Sequence, residues 1–264
     1  MTVKIGSKMW GFFLAVLLLL LAGCSGGGES GVSLNDTGIT FCAGAARGED
    51  DPCASTEPWG RQDAHYGRDA KAVAGNLPKI GGGNAGFDFT KIGNDGSELP
   101  ASATLGTAPS DWACTRDNVT GLIWEVKVNR PSSLRHRDHT YTWYDPKSPD
   151  GIPGLRGRGD CVGSVCDTTG FVQAVNREGL CGASDWRMPT WQELLGIVDF
   201  GRYGPAIDTN YFPNTPRAVH FWSGSPHAGS RAGAWAVHSN WTSADGLFRS
   251  RGESNSVRLV RDGP

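Results

Sequence analysis

Alternating apolar and polar residues in the second half of the chain predict short β-strands. Residues 120–127 place Leu122, Trp124 and Val126 on one side of an extended segment, as a half-buried strand requires. Residues 257–261, Val-Arg-Leu-Val-Arg, alternate in the same way. They therefore predict a closing strand with its apolar side turned to the core.

A different spacing, with apolar residues three and four apart, predicts a helix over residues 168–178. Phe171, Val172 and Val175 share one side of such a helix. Asp167 or Thr168 is expected to cap its start, and Gly179 to end it, because glycine adopts the left-handed conformation found after many helices.

A second helix is predicted to begin after Thr190. Pro189 ends the preceding extended segment, and Glu193 lies three residues after Thr190, which is the spacing of a capping box. The apolar residues that follow extend this predicted helix to about Val198 or Phe200.

Residues 221–261 have no helical or strand periodicity over most of their length. Eighteen of these 41 residues are Ser, Gly or Ala, and Lys, Gln and Met are absent. Such a segment buries little apolar area by itself, so it needs anchors on either side to hold one conformation. One interpretation is a Gly/Ser-rich loop region at the end of a β-rich domain. The other is a deliberate contrast between a few buried Trp and Val anchors and many exposed positions.

The first 23 residues predict an export signal. Lys4 and Lys8 precede the apolar residues 12–21, a run too short for a transmembrane helix. Leu-Ala-Gly before Cys24 resembles the bacterial lipobox, so Cys24 is the predicted lipidation site, although an ordinary secretory signal with Cys24 in a disulfide stays possible. Ser25 implies, by resemblance to bacterial lipoproteins, the outer membrane and the cell surface. Residues 24–36 are predicted to be a lipid-anchored flexible tether.

Six cysteines remain after Cys24, and an even number in an exported chain favours disulfides. The simplest arrangement joins neighbours in the sequence and pairs the two that are left: Cys42 with Cys53, Cys161 with Cys166, and Cys114 with Cys181. A zinc site is the alternative, but the chain has no Cys-x-x-Cys and no His at ligand spacing from these cysteines. His136 and His139 are read as surface-loop residues, so neither a metal nor another cofactor is expected.

The charge and the domain order complete this outline. The chain has a net charge of −2, and removal of the signal with its two lysines makes it more acidic, which argues against nucleic-acid binding.

Residues 37–111 are Gly-rich, and we predict a loop-rich N-terminal extension with one candidate strand at Phe87 and Phe89. The glycines of residues 81–86 lack the context of a phosphate-binding loop. The main domain is predicted over residues 112–264.

Four motifs carry a family resemblance: TGLIWE, LCGASDWRMPTWQEL, IDTNYFPNT and the closing FWSGSP…AW…VRLVR. They resemble the domain of unknown function shared with the C-terminal region of a Legionella collagen-like adhesin, which is related to C-type lectins and to the formylglycine-generating enzymes. The order of motifs, with GRQDAHYGRDA and GFDFTKI before them, is also similar to the variable lipoproteins of diversity-generating retroelements. In those systems a reverse transcriptase rewrites adenine-marked codons at the 3′ end of the gene.

The resemblance implies an α+β fold, namely a C-type-lectin-like domain with two helices packed on short antiparallel sheets. It implies a variable region at about residues 221–261 that displays ligand-binding residues on a constant scaffold. The implied scaffold residues are Trp124, Trp186, Trp222, Trp235, Val257, Arg258 and Val260. The implied display positions are His227, Gly229, Ser230, Arg231, Ala232, Gly233, Ala236, His238, Asn240, Ala244, Gly246, Phe248, Ser250, Gly252, Asn255 and Ser256.

The resemblance thus implies a surface-displayed, sequence-variable binding protein rather than an enzyme. An enzyme of the formylglycine-generating type would need late cysteines, and none follows Cys181. A calcium-dependent lectin would carry Glu-Pro-Asn or Trp-Asn-Asp triplets, and these are missing from the sequence. A fixed-specificity adhesin or glycan-binding lipoprotein is the alternative. The expected partner is a protein or glycan on another cell or host surface. The lipid anchor is expected to attach the protein to its own membrane.

Arginines in the final segment suggest the charge of that partner. Three arginines of this segment lie outside the predicted closing strand, namely Arg231, Arg249 and Arg251. Guanidinium groups bind carboxylate, sulfate or phosphate well. One expectation is that an anionic ligand contacts these three side chains; the alternative is that they are solvated surface residues.

Overall fold

The computed structural model describes residues 35–43, 50–51, 53, 61–240 and 247–264. Within them the chain has an α+β fold with few helices and several small antiparallel sheets, as the sequence predicted. The helices are α1 (Gly67–Val73), α2 (Thr168–Glu178) and α3 (Trp191–Leu195), with short 3-10 turns at Asp63–His65 and Leu180–Gly182. The strands are β1 (Cys42–Ala43), β2 (Asp50–Asp51), β3 (Phe89–Gly93), β4 (Glu98–Leu99), β5 (Trp112–Asp117), β6 (Ile123–Glu125), β7 (Tyr141–Thr142), β8 (His220–Pro226), β9 (Gly233–His238), β10 (Leu247–Ser250), β11 (Ser254–Asn255) and β12 (Val260–Arg261).

A five-stranded sheet, in the order β12-β6-β5-β3-β4, forms the base of the domain. All five residues of β3 are buried, and β3 pairs along β5 from Phe89 opposite Asp117 to Gly93 opposite Trp112. The predicted N-terminal extension therefore supplies two strands of the main sheet. The boundary predicted between residues 111 and 112 lies inside one sheet rather than between two structural units.

The last part of the chain folds into a three-stranded antiparallel sheet, β10-β9-β8, which we call the closing sheet. β11 leaves it and pairs with β7, and β12 returns to pair with β6 in the main sheet. The closing sheet is thus held at its exit by two other sheets.

Helices α2 and α3 begin as the sequence predicted. The Asp167 carboxylate accepts a hydrogen bond from the Gly170 amide at 2.7 Å, and Gly179 has φ 67° after the helix. Thr190 and Glu193 form the predicted capping box. Helix α3 ends at Leu195, before the predicted Val198, because the next amides bond to carbonyls three residues back, in tighter turns.

Helix α1 was not predicted. Its start is capped by a residue remote in sequence, since the Asp36 carboxylate accepts hydrogen bonds from the Arg68 and Asp69 amides. The neighbouring Asn35 side chain bonds to the Gly196 carbonyl at 2.8 Å. Residues 35 and 36 therefore belong to the folded body, and the tether predicted over residues 24–36 includes two residues that are part of it.

Two hydrophobic clusters fill the interior. One surrounds Trp186 and Trp222, and the other surrounds Trp124, Phe89 and Phe212. Trp124, Trp186 and Trp222 are each at most 2 % exposed, as expected of scaffold residues. They couple the main sheet, the helices and the closing sheet.

The described residues contain three disulfides, and they join the pairs that the sequence favoured: Cys42–Cys53, Cys114–Cys181 and Cys161–Cys166. Cys114–Cys181 spans 67 residues and lies in the first cluster. It ties β5 to the segment after α2, and a loop of that length gives a large reduction of unfolded-state entropy.

The observed closing strand is shorter than the one predicted over residues 257–261. Residues 255–260 are all buried, and only Val260–Arg261 pair with β6. Arg258 is 2 % exposed and donates to the Glu125 carbonyl and to Thr215 Oγ1, each at 2.8 Å. The charged residue of the alternating pattern is therefore part of the core, where its hydrogen bonds offset the cost of burial.

None of the helices in the described part of the chain is long and apolar enough to cross a membrane. The predicted signal and Cys24 lie outside the described residues.

Candidate functional site: the closing sheet

The two faces of the closing sheet have different surroundings. β9 lies in the middle, with Trp222 of β8 and Leu247 of β10 both opposite Ala236. One face carries Trp222, Ala234 and Ala236, all fully buried in the first cluster. We call this the inner face and the opposite one the outer face.

Hydrogen bonds hold the inner face in place. The indole Nε1 of Trp222 donates to the Tyr141 carbonyl at 2.8 Å, and Ser223 Oγ donates to the Trp235 carbonyl at 2.8 Å. Both donors are buried, so each bond is costly to break. These two hydrogen bonds therefore help to fix the position of β9 against the core.

The outer face carries a group of four ring side chains, which we call the aromatic cluster: Trp191, His227, Trp235 and Phe248. Trp191 stacks on Trp235 with ring centres 5.3 Å apart. His227 lies 4.3 Å from Trp235 and 5.2 Å from Phe248. Phe248 is 45 % exposed and the other three are half-buried. The cluster is a mainly apolar, partly exposed surface.

The aromatic cluster changes the role assigned to Trp235. The family resemblance placed Trp235 among the scaffold residues, which were expected to be buried. Strand alternation instead puts Trp235 opposite in direction to Ala234 and Ala236, which pack inward. The small alanines leave room for Trp222, and the large ring is left on the outer face.

Four predicted display positions are buried and are not part of an exposed surface. Ala236 is fully buried beneath the sheet, and Asn255 and Ser256 lie where the chain passes from β11 to the core. Gly233 lies beneath Phe248, and a Cβ there would approach the phenyl ring to 2.0 Å. These residues are constrained by packing, which corrects the expectation that they face solvent.

The other display positions within the described residues reach the surface to different degrees. Gly229, Ala232, Gly252, Arg231 and Phe248 are exposed. His227, Ser230, His238, Asn240 and Ser250 are half-buried. Ala244 and Gly246 lie outside the described residues.

Arg251 contradicts the expectation of a free cation. It is 3 % exposed, its guanidinium lies 4.2 Å from the Trp143 ring centre, and it forms an ion pair with Asp150. The same side chain donates to the Gly233 carbonyl at 2.9 Å. Arg251 therefore joins β9 to the loop containing Asp150. It is held there because a buried guanidinium needs several acceptors.

The other two arginines are also engaged. Arg231 donates to the Asp150 carbonyl at 2.8 Å. Arg249 approaches Glu253 at 3.4 Å and His220 Nε2 at 2.6 Å. Ion pairs with carboxylates therefore engage Arg249 and Arg251, whereas Arg231 is exposed and keeps its charge. This weakens the expectation that all three arginines contact an anionic ligand.

A pair of histidines lies beside Arg249. His220 and His238 are opposite each other on β8 and β9, with ring centres 4.6 Å apart. Burial, followed by the positive charge of Arg249 and the second histidine, lowers the pKa of His220 to about 4. Burial and Arg249 also lower the pKa of His238. Both rings are therefore neutral at pH 7, and His220 can accept the hydrogen bond from Arg249.

Buried ions support the closing segment from the main sheet. Glu125 is fully buried, 2.9 Å from Lys127 Nζ, and accepts from the Leu259 amide at 3.1 Å. Burial lowers the pKa of Lys127 to about 8, although Glu125 opposes the shift. The sequence did not single out these two residues, and the only signal was a charged pair inside an otherwise apolar strand pattern.

Within the described part of the chain, two groups of side chains have donor atoms close enough together for a metal ion. Asp36, Asp63 and Asp69 form the first, but Asp69 already accepts from the Gly38 and Gly86 amides, so its carboxylate has a structural role. Cys42, Cys53 and His65 form the second. Neither group was predicted, because folding brings together residues without a ligand spacing in the sequence.

The fold and the site define a disulfide-bonded α+β domain with an aromatic surface on its closing sheet. Residues 113–261 match the family model of the Lcl C-terminal domain. The match covers more than half of the chain, and the protein belongs to this family. No curated protein and no solved structure matched the chain.

Proposed function

We propose that the protein is a surface lipoprotein that binds a ligand through the outer face of its closing sheet. The aromatic cluster is the observation that supports this proposal. Aromatic rings supply most of the binding energy at many recognition surfaces, because they bury large areas with few rotatable bonds. The ligand class is a protein or glycan on another cell, and the lipid on Cys24 holds the binding domain at the outer membrane.

Ligand binding is tested by substitution in the aromatic cluster. Trp235→Ala and Phe248→Ala are expected to lower binding to an array of bacterial and host glycans and surface proteins at least tenfold. Tyr203→Ala is the matched control, because Tyr203 is 76 % exposed and lies outside the cluster. Equal binding by all three variants would rule out the outer face as the binding surface.

The proposal includes a C-type-lectin-like fold and sequence variation generated by a retroelement. Burial separates the implied display positions into those that a solvent-facing role permits and those that packing constrains. Sequencing this locus in sister isolates is expected to show differences at exposed positions such as Ala232 and Gly252, and none at Gly233 or Ala236. Differences spread evenly over both groups, or over the whole gene, would contradict diversification of a display surface.

A fixed-specificity glycan-binding adhesin is the second candidate. The observation that favours it is the position of Trp191 and Trp235, since neither residue is among the implied display positions. A constant aromatic pair would give one constant specificity. Identical outer faces in all isolates, together with binding to one glycan type, would favour this candidate over a variable binder.

The anchor is tested separately. Cys24→Ala is expected to move the protein from a salt-washed membrane fraction to the soluble fraction, because stable attachment needs the acyl chains. A variant that stays with washed membranes would exclude lipidation at Cys24 as the anchor.

A further inference from the structure

An imidazole lies against one of the disulfides, outside the closing sheet. His65 Nε2 is 3.3 Å from Cys42 Sγ, and Cys42 is bonded to Cys53. The donor atoms of these three residues all lie within 4.8 Å of one another. Cys, Cys and His are the donor set that zinc prefers in proteins.

Backbone and side-chain bonds hold this group together. The Ala43 amide donates to Gln62 Oε1 at 2.6 Å, and Gln62 Nε2 donates back to the Ala43 carbonyl at 3.3 Å. Gln62 directly precedes the turn Asp63–His65, whose His65 amide bonds to the Gln62 carbonyl. The strand that carries Cys42 and the turn that carries His65 are therefore joined next to the sulfur atoms.

We propose that Cys42, Cys53 and His65 form a redox-gated metal site. In the oxidised protein the two sulfurs are bonded to each other and cannot bind a metal. After reduction, two thiolates and one neutral imidazole coordinate a divalent zinc-type cation, and water takes the fourth position. The site is independent of the ligand-binding surface.

The reductant in this proposal is a dithiol. One of its thiolates attacks Sγ of Cys53, which is more exposed than Cys42, so that a mixed disulfide forms and Cys42 leaves as a thiolate. The second thiolate of the dithiol then attacks the mixed disulfide and releases Cys53. The dithiol becomes a disulfide, and its two electrons reside on the protein thiolates that bind the metal.

Cobalt binding to the full-length protein tests the site. The background variant is Cys161→Ser with Cys166→Ser, which removes another surface cysteine pair and leaves the site unchanged. After reduction with a water-soluble phosphine, which adds no thiolate ligand, we expect one Co²⁺ per chain with a thiolate-to-metal absorption band that Zn²⁺ displaces. The oxidised protein should show no such band.

His65→Gln in the same background distinguishes a built site from a pair of free thiols. It keeps both cysteines, and we expect it to lower the Co²⁺ affinity at least about tenfold, since even groups outside the first coordination shell change affinity by 10- to 100-fold. Alkylation and peptide mapping establish that Cys42 and Cys53 are reduced in each sample. If the reduced background binds no metal, or if His65→Gln binds as tightly, the proposal is wrong.

Discussion

The inner and outer faces of the closing sheet are built from the same three strands, yet they obey opposite rules. On the inner face Trp222 is fully buried between Ala234 and Ala236, and its indole nitrogen is bonded to Tyr141. On the outer face Trp235 is half-buried and its ring packs against the rings of Trp191 and His227. Close packing explains the difference, because each inner position has a fixed volume. The outer face is packed at Gly233 and Val237 but leaves Trp235 partly in water.

The largest test of this contrast places a charge on the inner face and, as a control, in the exposed turn before β9. Ala236→Asp should destabilise the domain by about 4 kcal/mol or more, since it buries a carboxylate without a partner. Ala232→Asp is the matched control and should cost about 0.5 kcal/mol or less, because Ala232 is exposed. Denaturant unfolding of the two variants measures both values. Equal losses would mean that the inner face is not closely packed.

The two tryptophans give the next largest effect. Trp222→Ala should cost about 3–5 kcal/mol, the range for a buried aromatic residue that leaves a cavity. Trp235→Ala should cost about 1–2 kcal/mol, because its ring is already partly in water. Its effect on ligand binding should be larger than its effect on stability. Thermal and denaturant melts provide the comparison, and a Trp235→Ala loss as large as that of Trp222→Ala would place Trp235 back in the core.

Local signals in the sequence explain why helices α2 and α3 were predictable and the faces of the closing sheet were not. Asp167, Gly179, Thr190 and Glu193 each act within one helical turn, so their spacing alone defines both ends of α2 and the start of α3. The face of Trp235 depends on the direction of the strand relative to the core. The family resemblance implied burial, and the alternation with Ala234 and Ala236 was the signal that pointed outward.

Three other contacts between remote residues were beyond sequence reasoning. Asp36 caps a helix that starts 31 residues later, Arg251 is neutralised by Asp150, and His65 meets Cys42. Each contact depends on the complete fold rather than on a local pattern. The buried Arg251 therefore resembled an exposed, ligand-binding arginine when only the sequence was considered.

Arg251 sharpens the comparison because it passes from the exposed turn into the interior. Arg251→Ala should cost about 2–3 kcal/mol, since it leaves Asp150 and the Gly233 carbonyl without their donor. Arg249→Ala is the control with a more exposed side chain and should cost about 0.5–1 kcal/mol. Denaturant unfolding decides between them, and a similar small loss for both would show that the Arg251 contacts are weak.

The smallest expected effect is a dependence of the free energy of unfolding on pH. It tests whether the histidine pair beside Arg249 stabilises the closing sheet. The pKa of His220 is lowered to about 4 by burial, by Arg249 and by His238, whereas an unfolded histidine has a pKa of about 6.5. The unfolded chain therefore binds more protons between these values, and the contribution of His220 to stability is lost as the pH falls from about 6.5 to about 4. Because the ring is half-buried and partly screened, we expect a loss of about 1–2 kcal/mol across this window.

His220→Gln keeps an acceptor for Arg249 but does not titrate, so its stability should change less over the same range. His139→Gln controls for histidine titration away from the closing sheet, since burial also lowers the pKa of His139. Denaturant unfolding at several pH values measures the three slopes, and a His220→Gln slope equal to that of the unmodified protein would show that the histidine pair does not stabilise the sheet.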